Sequence, residues 1–414
     1  MRLAAVQVGA AAVIVAIAGY VAQFVAARWL GPTHYTTFAV FWAVLSIVVG
    51  TLSGVSQEVV RVSRVSKIAG DSSFAADQGN PRIGVVAITV GVCTAIVVFL
   101  TGLVWGPLAF GADWLAPVVL LLLAGVFVSG TAAVVSAFAG LARWRTYALL
   151  VTLEGVARIV FFVLAAVLLP NVLGFSIAAA LAFLPGILVG LLGNRLRRES
   201  FAIRSDSPAG VSTTRFLRSM AASSLSSFLV VGWPVLLTTA AAANPRGSTA
   251  VSLGVLVLLV TLTRAPLMVP ITSFQNALVA RFTGLDLAER RRWVAGGIGI
   301  LVVASGVLAA LAAVVAPPLL PVIFGERYQV SPATVAALTG AAAGLGIITL
   351  TGIAAITSGR HSRYLFGWMV AIVAALLVLF LAPLPFEWAT VVALIAGPLV
   401  GATVQLGALR PPHT

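Results

Sequence analysis

A few polar side chains stand inside long apolar segments, where each needs a structural or a functional reason. Ionisable groups within a bilayer are costly and usually face a bundle interior or a wet cavity. Arg264 lies near the middle of one apolar segment, and at 100° per residue it shares a helix face with Thr272 and Gln275. An arginine in such a low-dielectric setting attracts anions strongly. We interpret eight residues as lining a substrate cavity: Arg264, Gln275, Asn276, Gln57, Arg61, Gln23, Ser223 and Ser227.

The serines among these residues have an equally good structural explanation. Ser223 and Ser227 belong to a serine-rich segment, and Ser46 and Ser53 follow one face of another. Small and hydroxyl side chains also allow membrane helices to pack closely. For these serines, cavity lining and helix packing both stay open, whereas the position of Arg264 favours a cavity.

Carboxylates are scarce in the apolar segments. Glu154 and Arg158 are four residues apart, in the order that favours an ion pair on one helix. The pair is either a structural salt bridge or a carboxylate that responds to ions or protons. Glu58 lies near the membrane interface beside Arg61, where water can solvate it.

The composition indicates that the polar side chains described above lie on membrane-spanning helices. The chain has 414 residues, of which 61% are hydrophobic and 9% are charged, and its mean hydropathy is +1.12. A soluble domain typically has about 25% charged residues, so a soluble enzyme, a secreted module and a disordered protein are excluded.

The apolar runs predict an all-α polytopic membrane protein with about twelve transmembrane helices. Each run approaches the roughly 20 residues that cross a bilayer, and no alternating pattern of a β-barrel is present. The first run is too long for the core of a signal peptide. The expected spans are 4–27, 36–57, 83–106, 115–140, 147–169, 172–194, 214–241, 250–277, 293–316, 331–357, 364–383 and 388–408.

The charge distribution predicts that both termini are cytoplasmic. Most of the 25 basic residues fall in loops on one side of these spans, and only Arg28, Arg246 and Arg327 fall in loops on the other. Basic residues gather in cytoplasmic loops of membrane proteins. This rule accounts for the net charge of +14 without a nucleic-acid partner.

The polar segment 195–213 divides the chain into two halves. We expect an N-terminal six-helix lobe (1–194), a cytoplasmic linker (195–213) and a C-terminal six-helix lobe (214–414). Weak correspondences between the halves, such as Gly31-Pro32 with Asn244-Pro245 after the first span of each, are typical of transporters built from repeats.

The sequence has no recognisable catalytic or cofactor motif. It lacks a P-loop, GxSxG and HExxH, and its single cysteine, Cys93, belongs to no Cys/His cluster. We therefore expect no catalytic residues, no metal and no cofactor, and a protein that is not an enzyme.

Three segments resemble a known family. Residues 27–32 (Ala-Arg-Trp-Leu-Gly-Pro), followed by Tyr35 and Phe38, resemble the turn between spans 1 and 2 of Wzx-like polysaccharide-biosynthesis flippases. These belong to the multidrug/oligosaccharidyl-lipid/polysaccharide exporter (MOP) superfamily. Residues 140–158 are similar to that family's spans 4–5, and residues 266–275 to its span 8. Only three residues precede the first span, which is a departure from the family's pattern.

The resemblance implies two lobes around a central cavity and alternating access. It implies that a lipid-linked (polyprenyl-pyrophosphate) oligosaccharide is moved across a bacterial plasma membrane for polysaccharide biosynthesis. Arg264 would bind the pyrophosphate, and Arg61 would serve at the inner mouth. The resemblance also implies glycan polymerases or glycosyltransferases as partners. The alternatives are a cation-coupled multidrug exporter of the same superfamily and a scaffold for glycan synthesis that transports nothing.

Overall fold

The structure is a computed structural model that describes residues 2–74, 80–193, 200–205, 209–243 and 252–409. These residues form helices and contain no β-strand. Ten helical segments are long and apolar enough to cross a bilayer, and the bent pair α7–α8 would be an eleventh. The helices are α1 (Arg2–Phe74), α2 (Ile83–Phe110), α3 (Leu115–Gly140), α4 (Trp144–Leu168), α5 (Val172–Leu181), α6 (Leu184–Leu192), α7 (Ala209–Val231), α8 (Trp233–Ala243), α9 (Leu253–Thr283), α10 (Leu287–Phe324), α11 (Pro332–Thr357), α12 (His361–Leu381) and α13 (Phe386–Leu406).

The 73 residues of α1 make two crossings, because the chain reverses inside this element. A methyl group on Gly155 of α4 would contact Ile14, and one turn further along α4 Arg158 contacts the ring of Trp42. In a straight helix, residues 14 and 42 would be about 42 Å apart. The reversal falls at Gly31, whose φ of +66° suits glycine. With α1 counted twice and the bent pair α7–α8 counted once, the described residues contain twelve candidate crossings, as predicted.

The helix ends follow ordinary capping chemistry. Asn171 accepts a hydrogen bond from the Gly174 backbone N–H at 2.9 Å, so α5 begins at Val172, after the break at Pro170-Asn171 between the expected spans 147–169 and 172–194. Asp286 and Glu289 form a capping box at the start of α10. Because the helix starts at this cap, α10 begins at Leu287, before the expected residue 293. It ends at Phe324, beyond the expected residue 316.

Packing divides the chain into two compact units. Unit 1 contains Met1–Leu30 and Thr37–Ser227, and unit 2 contains Gly31–Thr36 and Phe228–Thr414. The first part of α7 therefore packs with the N-terminal helices, beyond the linker expected at 195–213.

Part of the expected linker is ordered against unit 1. The Ile83 backbone N–H donates to the Ile203 carbonyl at 3.0 Å, and that of Ser205 donates to the Pro81 carbonyl at 2.8 Å. Residues 209–213 of the expected linker belong to α7, which begins at Ala209. Residues 194–199 and 206–208 lie outside the described part of the chain.

Candidate functional site

Small side chains join the second half of α1 to residues 219–227 of α7 in unit 1. A methyl group on Gly50 would collide with the Ser227 hydroxyl, and one on Gly54 would collide with the Ser219 backbone. Between these contacts, the Thr51 and Ser224 hydroxyl groups are hydrogen-bonded to each other at 3.0 Å. Ser227 is thus used for close helix packing, one of the two explanations open from the sequence.

Ser223, another predicted cavity residue, lies on the same helix and is half-buried. Its backbone carbonyl accepts a hydrogen bond from the Ser226 hydroxyl at 3.0 Å. The neighbouring Ser224 hydroxyl bonds to the Met220 carbonyl at 2.7 Å. Such local bonds to the helix backbone satisfy serine hydroxyls within a membrane without any ligand.

Arg264 lies in unit 2 and satisfies a backbone group that a proline leaves unpaired. Pro234 has no N–H, so the carbonyl of Val230, four residues earlier, has no helical donor. The Arg264 guanidinium, on α9, donates a hydrogen bond to this carbonyl. The residue is 8% exposed. Arg264 therefore lies beside the break between α7 and α8 at Gly232, with a structural contact in addition to any role with substrate.

Two buried tyrosines accompany this arginine in unit 2. Tyr35, at the chain reversal, is within electrostatic reach of Arg264 and of Tyr328. Both tyrosine side chains are almost fully buried. Tyr328 follows α10 outside the membrane-spanning helices, and burial raises the pKa of its hydroxyl above the ordinary value. The Tyr328 hydroxyl therefore acts as a neutral hydrogen-bonding group.

The predicted ion pair on α4 forms and is enclosed by aromatic rings. Arg158 Nη2 lies 2.6 Å from Glu154 Oε1, and 11% and 16% of the two side chains are exposed. The Arg158 Cζ atom is 5.8 Å from the Trp42 ring centroid and 5.4 Å from that of Phe183. Cation–π contacts of this kind compensate a guanidinium group for lost hydration. Sequence reasoning missed Phe183, which comes from the distant α5–α6 break.

The pair of Glu58 and Arg61, in the second crossing of α1, is more accessible. Arg61 Nε and Nη2 reach Glu58 Oε2 and Oε1 at 2.8 and 2.7 Å, a bidentate contact. The Arg61 side chain is 38% exposed, while Glu58 is mostly buried. The neighbouring Gln57 is exposed. Glu58 is therefore held by an arginine of the same helix.

The remaining predicted cavity residues are dispersed. Gln23 is buried in unit 1, and Gln275 is exposed on α9. Eleven residues of helix separate Gln275 from Arg264, a rise of about 16 Å. The side chain of Asn276 lies outside the described residues. Among described residues, no group of three or more His, Cys, Asp or Glu side chains could hold a metal ion.

Comparison with known sequences finds mycobacterial relatives of nearly the same length. The chain is 36% identical over 417 residues to "Uncharacterized protein Rv3630" of Mycobacterium tuberculosis, a match that covers 97% of this chain and 91% of that protein. It is 35% identical over 415 residues to "Uncharacterized protein Rv1510" of the same species, with 97% and 90% covered. No protein-family model matches the chain.

Comparison with solved structures finds transporters of the MOP superfamily. An inward-facing multidrug resistance MATE family transporter superposes with a TM-score of 0.67 at 16% identity and covers 94% of each chain. A MOP superfamily transporter from Pyrococcus furiosus gives 0.64 at 15%, covering 98% of this chain and 95% of the other. Vibrio cholerae VcmN, a MATE transporter, gives 0.60 at 16%, covering 99% and 98%. The chain is a multi-pass membrane protein with this fold.

Proposed function

The chain belongs to the family of the mycobacterial proteins Rv3630 and Rv1510, and we propose that it is an alternating-access transporter for a lipid-linked oligosaccharide. The substrate would be a polyprenyl-pyrophosphate-linked glycan that crosses from the inner to the outer leaflet. No covalent bond is broken in this process. In our proposal both termini are cytoplasmic, the membrane is a bacterial plasma membrane, and glycosyltransferases or a polymerase act before or after transport.

The distribution of intramembrane charge is the observation that carries this proposal. The two carboxylates predicted from the sequence, Glu58 and Glu154, are each held by an arginine of the same helix. A cation-coupled exporter needs a carboxylate that can release such a partner. Arg264 is a further arginine, buried in α9 beside the α7–α8 break. Glu387, in the first turn of α13, is a further buried carboxylate, so the preference for an anionic substrate group rests on Arg264 near the α7–α8 break.

The electrostatic magnitude is adequate for recognition. A unit charge 4 Å from an opposite charge gains about 1 kcal/mol in water and about 4 kcal/mol at an effective dielectric constant near 20. A guanidinium group also presents several N–H donors to phosphate oxygens. Arg264 would exchange its contact with the Val230 carbonyl for the pyrophosphate. Substrate binding would then release the hydrogen bond that Arg264 donates beside the α7–α8 break.

Multidrug export is the second candidate, because two of the matched proteins are MATE transporters. The Pyrococcus furiosus transporter is described as having a binding pocket of reversed polarity that suggests a different function. The fold therefore accommodates more than one substrate class. Cation-dependent efflux of a drug by the purified protein, without movement of a lipid-linked glycan, would favour this second candidate.

The experiment must separate the charge of Arg264 from its structural contact. Pro234→Ala supplies a backbone N–H for the Val230 carbonyl, so Arg264→Gln can be introduced into that background without stranding the carbonyl. Both variants are placed in proteoliposomes with a fluorescent polyprenyl-pyrophosphate oligosaccharide, and its appearance on the opposite leaflet is measured. We expect Pro234→Ala to transport and the double variant to be slower by about tenfold or more, since a charged contact is lost. Equal rates would remove Arg264 from the substrate path.

A further inference from the structure

An apolar groove of about 480 Å³ opens between α9, α10 and α11 of unit 2. Its side is formed by large apolar side chains, and one end carries an arginine and a tryptophan. The exposed face of α10 borders it, where Ile300 is 70% exposed. The described residues that define this α9–α10 groove are Ile271, Phe282, Leu301 and Leu350 along its length, with Arg292 and Trp293 at its end.

The groove extends along one leaflet of a membrane. From Ile271 to Phe282, α9 rises about 16 Å, and from Arg292 to Ile300, α10 rises about 12 Å. Half of a bilayer's hydrocarbon core is about 15 Å thick. A single acyl chain of a phospholipid fits this length, whereas a long polyprenyl chain would extend beyond it.

Two adjacent glycines of α10 give the groove its shape. A methyl group on Gly297 would press against the Leu350 side chain, so this glycine allows α11 to approach. A methyl group on Gly296 would meet no atom within 4 Å, although this residue lines the groove. The space at Gly296 is therefore available to a ligand and is not occupied by a neighbouring described side chain.

The arginines around the groove divide into structural and available groups. Arg290 donates to the Phe282 and Leu285 carbonyls at 2.8 and 3.0 Å. Arg291 donates to the Leu409 carbonyl at 2.7 Å. Arg292, which lines the groove, makes no hydrogen bond or ion pair with another described residue.

A second guanidinium group lies at the same end of the groove. The Arg281 Cζ atom is 5.3 Å from the ring centroid of Trp293. Tryptophan and arginine together are typical of the level of the lipid headgroups. The groove thus joins a positively charged, headgroup-level end to an apolar trough at the depth of the acyl chains.

We propose that the α9–α10 groove is a binding site for one anionic phospholipid, whose acyl chain lies in the trough and whose phosphate contacts Arg292. By the orientation predicted from the sequence, this lipid belongs to the cytoplasmic leaflet, whose anionic headgroups attract basic residues. The site is separate from the proposed transport path through Arg264, and neither proposal depends on the other.

The test measures lipid retention by native mass spectrometry of the purified full-length protein. The probes are dioleoyl-phosphatidylglycerol and dioleoyl-phosphatidylcholine, added separately and in competition. Arg292→Gln removes the charge, and Gly296→Leu fills the trough. The matched control is Gly299→Leu on the same helix, since Gly299 is exposed, does not line the groove and would carry a methyl group without meeting any atom within 4 Å.

We expect the wild type to prefer phosphatidylglycerol and Arg292→Gln to lose about five- to tenfold of that preference. Gly296→Leu should weaken retention of both lipids, while Gly299→Leu should retain them like the wild type. No preference in the wild type, or unchanged retention by Gly296→Leu, would overturn the proposal. Displacement of phosphatidylglycerol by an equimolar polyprenyl phosphate would overturn it as well, by assigning the groove to an isoprenoid chain.

Discussion

Removing Arg158 should destabilise the protein far more than removing its partner Glu154. Both side chains are largely buried, and the 2.6 Å contact gives a gross attraction of about 6 kcal/mol at an effective dielectric constant near 20. Arg158→Met leaves the Glu154 carboxylate without this cation inside the membrane. Breaking a buried pair in this way costs about 3–5 kcal/mol.

Glu154→Gln should cost less, because Arg158 keeps its contacts with Trp42 and Phe183. Each such contact is worth about 0.5–2 kcal/mol to a desolvated guanidinium group. The double variant, Glu154→Gln with Arg158→Met, carries no buried charge and should be more stable than Arg158→Met alone. The free energies of unfolding would be measured by titration with a denaturing detergent from mixed micelles.

The pair of Glu58 and Arg61 provides the matched control, because the Arg61 side chain is 38% exposed. Glu58 is itself mostly buried, so Arg61→Met should cost less than Arg158→Met to the extent that water enters the half-exposed position of Arg61 and solvates the Glu58 carboxylate. In a double-mutant cycle, the destabilisations of Glu154→Gln and Arg158→Met could add up to that of the double variant within about 0.5 kcal/mol. That result would refute a strong interaction between the two side chains. So would an Arg158→Met variant that is as stable as the double variant.

Three other substitutions test the local geometry, each by the same unfolding measurement. Gly254→Val should prevent stable folding, because even a methyl group at this position collides with the Pro32 carbonyl; a wild-type stability would contradict that contact. Arg264→Gln should cost less in a Pro234→Ala background than in the wild type, since alanine supplies the donor that proline lacks; equal costs would argue against the shared carbonyl. Asn171→Ala should cost about 1 kcal/mol through loss of the α5 cap, whereas Asn171→Asp should retain most of it.

The sequence was sufficient for features that depend on nearby residues. Apolar run length predicts twelve crossings, and the Pro170-Asn171 break is confirmed because asparagine caps the next helix. The ion pair of Glu154 and Arg158 follows from their spacing alone. Each of these features is set within one helix or one turn.

Contacts between distant segments were beyond such reasoning. Phe183 meets Arg158 only because the α5–α6 break packs on α4. The bond from Arg264 to the Val230 carbonyl joins residues 34 apart. Pro234 does indicate from the sequence that the Val230 carbonyl lacks a helical donor. The residues near it in the sequence do not indicate which distant side chain bonds to that carbonyl.

The packing of α7 illustrates the same limit. The polar segment 195–213 predicts a linker, yet residues 209–227 of α7 belong to unit 1, where Gly50 and Gly54 leave room for Ser227 and Ser219. The sequence shows that both segments have small residues. It does not show which helices those residues bring together.

Transport of a lipid-linked oligosaccharide is tested most directly in a strain depleted of this protein. Lipid-linked glycan intermediates would be extracted and assigned to a leaflet by their accessibility from outside. We predict that they accumulate on the cytoplasmic leaflet and that the wild type and Pro234→Ala restore export. Pro234→Ala with Arg264→Gln, present in the membrane at equal amounts, should not restore it. Intermediates unchanged in amount and leaflet after depletion would contradict the proposed function.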